Sequence, residues 1–213
     1  MPIAIKMAGK EIASYDTTTD KVAIKLGDDV SINDSAGNVV LGNSGLTSNV
    51  VFPTGVVIGM AFLADVTDGN GGTPSNSAAV LRTLNTTVFS INCPTTIASN
   101  EFSFDEAGTY VINASAPVYQ GNRHILQLSD DSGSTFIGVG SAEYNDTADY
   151  LVTRSFLCKN VTVSSSQITN GGSQRDFGLY HIVDSVQGPQ GLGVDSNDTT
   201  FEQYLQVQIF RLA

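Results

Sequence analysis

The apolar residues of this chain recur at every second position and over no three turns at every 3.6, and that periodicity limits the fold more than any other feature. Period 2 sends successive side chains to opposite faces of an extended backbone. The alternation breaks at clusters of Gly, Asn, Asp and Ser, which accept turn conformations at low cost. It is cleanest at Tyr204–Leu212, where Leu205, Val207, Ile209 and Arg211 share one face and Tyr204, Gln206, Gln208, Phe210 and Leu212 share the other. The chain reads as all-β.

Further strands are expected at Val80–Leu84, Thr87–Ile91, Glu101–Phe104, Thr109–Ala116, His124–Ser129, Thr135–Gly140, Leu151–Leu157, Val161–Ser165 and Gly178–Val183. Eight or more strands in about 160 residues fit a two-sheet antiparallel jelly-roll sandwich. The apolar run Val50–Val66 reads as a strand buried on both faces. Asp68–Pro74 then reads as a flexible, Gly-rich loop; it lacks the ligand spacing of an EF-hand. Before the run, Ile3–Lys6, Lys21–Leu26, Val30–Ile32 and Val39–Leu41 are too brief to close a core alone. The expected organisation is a β-rich attachment arm or stalk over residues 1–50 and a jelly-roll domain over 51–213.

Composition narrows the surface chemistry. Charged residues are 15% of the chain, against roughly 25% in ordinary soluble domains, and Ser, Thr, Asn and Gly take their place. The net charge is -11, of which residues 61–213 carry -9 and residues 1–60 only -2. An acidic body repels polyanions, so nucleic acid and anionic membrane surfaces are not expected partners. Pro53, Gly55 and Gly59 break the stretch Val50–Leu63, so it is not read as a spanning helix, and no signal-peptide pattern precedes it. The expectation is a soluble protein made in the cytoplasm. Cys93 and Cys158 stand outside any C-x-x-C pattern and are read as two buried free thiols, with a disulfide as the alternative.

Three segments follow one another in order: Leu81-Arg82-Thr83-Leu84-Asn85-Thr86, Asn100-Glu101-Phe102-Ser103-Phe104-Asp105-Glu106-Ala107-Gly108-Thr109-Tyr110 and Ala114-Ser115-Ala116-Pro117. Together they resemble the TNF/C1q-like jelly-roll domain of phage and marine-virus structural proteins. Asn122-Arg123-His124, Val152-Thr153-Arg154-Ser155-Phe156 and the ending Leu205–Leu212 also fit, and Val51–Ile58 resembles the entry to the first strand of phage fibres. The resemblance runs from Val51 to Leu212. It implies a homotrimer packed about a threefold axis and located in a virion. Two uses follow, a capsid decoration (cement) protein or short head fibre, and a receptor-binding tail-fibre tip recognising a host surface glycan. In the first use, residues 1–50 would hold the major capsid protein or another virion protein.

Candidate trimer-interface residues are Tyr204, Gln206, Gln208 and Phe210, on the mixed face of the last strand, together with His124. That face can meet its symmetry copies, or be a partly solvated edge. The candidate ligand loop holds Tyr144, Asn145 and Asp146, since Tyr with Asn and Asp suits carbohydrate, although long loops also arise by simple insertion. The acid-rich segment Val183–Phe201 is a second long loop. No catalytic site is expected: there is no G-x-S-x-G elbow, His124 and His181 alternate with apolar residues, and Asp105/Glu106 and Asp130/Asp131 read as turn acids. Zinc-type His spacing is absent from the sequence, and neither metal nor cofactor is expected.

Overall fold

The computed structural model describes residues 3–7, 10–16, 21–24, 55–75, 77–144, 151–170, 174–185, 190–196 and 201–213. The chain divides into two compact units, Met1–Val51 and Phe52–Ala213. In the first unit, β1 (Ile3–Met7), β2 (Lys10–Asp16) and β3 (Lys21–Ile24) form an antiparallel sheet in that order. The expected strands at Val30–Ile32 and Val39–Leu41 lie outside the described residues.

The second unit supplies β4 (Val57–Thr67), β5 (Ala79–Leu81), β6 (Thr86–Ile91), β7 (Thr95–Ala98), β8 (Glu101–Phe104) and β9 (Gly108–Tyr119). It continues with β10 (His124–Ser129), β11 (Gly138–Glu143), β12 (Val152–Val163), β13 (Gly178–Val183) and β14 (Glu202–Leu212). One sheet runs β12-β9-β14-β4-β6 and the other β11-β10-β13-β5. The hairpin β7-β8 joins the second sheet through a bridge between Phe102 and Phe177. From β9 onward the chain crosses repeatedly between the sheets, which is the jelly-roll connection expected from the sequence. Among the described residues no helix is long and apolar enough to cross a membrane.

The core lies between the sheets. Leu205, Val207 and Ile209 of β14, Tyr110, Ile112, Ala114 and Ala116 of β9, and Leu126 and Leu128 of β10 all point into it. An aromatic cluster fills one end: Phe104 stacks on Tyr110 at 3.8 Å between centroids, and Phe102 on Phe177 at 5.5 Å. Phe104→Ala should cost about 4 kcal/mol, because these rings are held by β-strands that cannot collapse onto the void. Urea unfolding checks this, through a lowered midpoint at unchanged slope. Gly59 is a tighter constraint, since a Cβ there would stand 2.1 Å from the Asn92 carbonyl oxygen. Both groups are backbone, so Gly59→Ala must push β4 off the β6–β7 connection. A loss of about 3 kcal/mol is expected, read as a fall in Tm.

Several boundaries differ from expectation for local reasons. Val152–Val163 is one strand, unbroken at Cys158–Asn160, because every residue pairs with β9. The strand expected from Thr135 begins at Gly138, since the Thr135 amide and hydroxyl both donate to the Asp131 carboxylate and close a turn. Thr95–Ala98 is an unanticipated strand, held by β8. The Gly-rich loop is also more structured than expected. Gly71 N donates to Gly193 O (2.9 Å), Leu192 N to Gly72 O (3.1 Å) and Asp195 N to Asn70 Oδ1 (3.0 Å), lacing it to residues 190–196.

Candidate functional site

The five-stranded sheet buries one face in the core and, among the described residues of its own unit, leaves the other uncovered. Register alone composes that outer face. Cys158, Asn113, Gln208, Phe62 and Phe89 form one row across β12, β9, β14, β4 and β6. Phe156, Ser115 and Gln206 begin a second row, and Asn160, Val111, Phe210, Met60 and Ile91 make a third. Phe156 is 60% exposed, Ile91 59%, Val57 53% and Phe89 40%. Phe62 and Phe89 touch across two strands with centroids 6.1 Å apart. A depression of about 460 Å³ is centred on the face and lined by Asn113, Ser115, Phe156, Cys158, Gln206 and Gln208.

These rows are read from strand pairing, and none of their members is an Asp or Glu, in a chain of net charge -11. Arg154 of β12 stands at the border and donates to Ser115 Oγ (3.2 Å). Such a surface does not repel a copy of itself, and its amides can pair with their counterparts while the aromatic rings lose water. The run Val50–Val66 explains its own composition here. Within β4, Ala61 and Leu63 face the core while Met60 and Phe62 face outward and stay half-exposed. The expected double burial is therefore not completed among the described residues of this unit.

The sequence-predicted residues separate on inspection. Gln206, Gln208 and Phe210 do lie on the outer face, beside one another. Tyr204 does not: the pairing of β14 with β4 slips between Gln203 and Gln206, and the slip turns Tyr204 inward. Its ring packs on Gly71 and Gly193, its hydroxyl donates to Gly69 O (2.7 Å), and burial pushes the phenol up to about 12. His124 also lies elsewhere, almost wholly buried on the inner face of the other sheet. Of the candidate ligand loop, Tyr144 is exposed at the end of β11, while Asn145 and Asp146 lie outside the described residues. The residues sequence reasoning missed are Phe62, Phe89, Ile91 and Phe156. Their signal was present as apolar positions on the polar face of alternating strands.

Cys93 is a buried free thiol, raised to about 11 by its burial, whereas Cys158 is free but exposed on the outer face, contrary to the reading of both as buried. The turn acids serve the fold. Asp131 accepts from Ser129 and Thr135, Asp130 pairs with Arg175 at 2.5 Å, and Glu106 pairs with Arg211. Hydrogen bonds from Thr135 and Ser129 hold the Asp131 carboxyl down at about 2. Among the described residues, no three His, Cys, Asp or Glu side chains gather where they could hold a metal ion.

The two histidines meet each other. His124 Nδ1 stands 3.0 Å from His181 Nε2, and His124 Nε2 stands 2.7 Å from Thr153 Oγ1 of the facing sheet. Burial pulls His124 down to about 4 and His181 well below the ordinary histidine value, with the Arg82 charge adding to both effects. Both rings are neutral at pH 7 and shut away from solvent, which suits packing and not proton transfer to a substrate.

No protein-family model matches the chain, and no curated protein matches it. Among solved structures, murine APRIL at pH 5.0 is similar with a TM-score of 0.43 and 6% identity, covering 72% of this chain and 98% of that one. The Eiger TNF of S. frugiperda is similar with a TM-score of 0.45 and 10% identity, covering 72% of this chain and 92% of that one. Strand order and register, and not these likenesses, define the chain as an all-β jelly-roll sandwich.

Proposed function

We propose that this protein is a non-enzymatic virion component, a homotrimeric capsid decoration protein or short head fibre held to its particle by residues 1–50. The observation that carries the assembly is the uncovered face of the five-stranded sheet, where aromatic and amide side chains lie together without a carboxylate. Apolar patches of this kind on a soluble chain mark an interaction surface, and a surface that is neutral on an acidic body fits a copy of itself. The virion address rests on the sequence segments from Leu81 to Pro117 and at Val51–Ile58 that resemble phage structural proteins. Decoration would act through strands of the arm adding backbone hydrogen bonds and apolar burial to a capsid subunit.

Sedimentation equilibrium of the full chain tests the assembly: a trimer is expected, and a monomer at tens of micromolar would overturn it. Particles lacking the protein should then lose resistance to heat or osmotic shock; unchanged resistance would count against decoration. A second reading, a receptor-binding tip for a surface glycan, is favoured by the exposed Tyr144 ring at the end of β11. Glycan-array binding that disappears in Tyr144→Ala supports that reading, and a blank array removes it.

A further inference from the structure

The four-stranded sheet also has an outer face, and at one corner an apolar row of that face borders a polar one. Ala142, Ile125, Ile182 and Ala79 pair in turn across β11, β10, β13 and β5. Alternation from the buried His124 and His181 turns all four outward. Two residues further along, Asp184 N donates to Arg123 O (2.8 Å), and the same parity puts both exposed side chains on the outer face. Ser77 follows beside Asp184. Its amide donates to Val183 O (2.7 Å), its φ is +58°, and its hydroxyl reaches the Asp184 carbonyl (3.2 Å) and carboxylate (3.3 Å). Tyr144, two residues past Ala142, is 64% exposed. A depression of about 200 Å³ lies where the two rows meet, against Ile125, Ala142, Ile182, Arg123, Asp184 and Ser77.

The two charges of this corner do not neutralise one another by pairing. Arg175 and Arg211 have Asp130 and Glu106, whereas Arg123 has no carboxylate partner among the described residues. Its guanidinium keeps its donors, and Asp184 is engaged only through Oδ1. Charged donors beside charged acceptors match the adjacent hydroxyls of a sugar, each of which both donates and accepts. The corner itself sums to zero charge, and residues 61–213 carry -9, which disfavours an acidic sugar. The floor sets the other requirement. Ile125, Ile182 and Ala142 offer no hydrogen-bonding side chain, so they gain only by excluding water with an apolar group such as a methyl. A neutral sugar carrying an acetyl group meets both demands.

We propose that this corner of the four-stranded sheet binds a neutral N-acetylated hexose, with the acetyl methyl on Ile125, Ile182 and Ala142 and the hydroxyls on Arg123 and Asp184. The inference rests on the glycan reading above and gives that reading a site and a sugar class. Saturation-transfer NMR tests it, using the full chain and the methyl glycosides of N-acetylglucosamine, N-acetylgalactosamine, glucose and galactose. At least one acetylated sugar should bind, with its acetyl methyl the most strongly saturated group. Its unacetylated parent should bind about tenfold more weakly. Ala142→Trp covers the floor and Arg123→Ala removes the donors, both from exposed positions. Each should weaken binding by about tenfold or more, at an unchanged circular dichroism spectrum. Binding that survives both substitutions overturns this site while the glycan reading stands, and equal binding of acetylated and plain sugars overturns the sugar class. No binding of any of the four sugars overturns the site, and a blank glycan array beside it removes the glycan reading as well.

Discussion

Phe156→Asp is expected to convert the assembly into monomers while leaving the jelly roll folded. The side chain is 60% exposed in the single chain, so its replacement opens no cavity in the core. In a trimer closed through the five-stranded sheet, it would lose its aromatic contact and set an unpaired carboxylate against an apolar neighbour. A carboxylate buried without a partner costs several kcal/mol, and the loss recurs at each interface of the ring. At about 3 kcal/mol per contact, each dissociation constant rises by about two orders of magnitude. Sedimentation equilibrium should show the monomer mass, with a far-UV circular dichroism spectrum still that of a β protein. Val139→Asp is the control. Val139 is 59% exposed, but on the four-stranded sheet, and its substitution should leave the trimer intact. A trimeric Phe156→Asp protein would mean that this face is not the one that assembles.

Acid should weaken the folded domain well above the pH at which most carboxylates titrate. His124 titrates at about 4 in the folded protein and near 6.5 once unfolded, because burial disfavours its charged form. Between these values the unfolded chain binds the extra proton, so stability is full above pH 6.5 and falls as pH drops toward 4. That difference amounts to about 3 kcal/mol for His124, and His181 adds to it in the same direction. Asp65 acts oppositely: its carboxyl is raised chiefly by burial, so its protonation recovers part of the loss. Asp131, held at about 2 by its turn hydrogen bonds, contributes only below the unfolded carboxylate value. Urea midpoints measured from pH 7.5 to 4 should decline steeply for the natural sequence. In His124→Gln the decline should be shallower by roughly half, and an unchanged slope would remove His124 from the account.

Much of the fold was legible because strand alternation is a local property. Glu101–Phe104, His124–Ser129 and Gly178–Val183 were bounded correctly since each is flanked by turn-forming residues. The outer face was legible in part. Gln206, Gln208 and Phe210 were found from one strand, but their neighbours Phe62, Phe89 and Phe156 come from β4, β6 and β12. Only pairing at long sequence separation puts those rings into the same rows. The thiols show the same divide: Cys93 and Cys158 look alike in sequence, and only the tertiary structure separates Cys93, buried in the β6–β7 connection, from Cys158, exposed on the outer face of β12.

The amino-acid sequence by itself determined that the chain is all-β and that Gln206, Gln208 and Phe210 of β14 point together, because side-chain direction in an extended backbone needs no information beyond the next residue. The tertiary structure decided the rest. A slip in pairing with β4 turned Tyr204 from the expected outer face onto Gly71 and Gly193, since one shifted register reverses every side chain beyond it. His124 left the candidate interface for a partner 57 residues away, and Arg82 became buried, because the facing strands that enclose them are chosen by topology and not by local pattern.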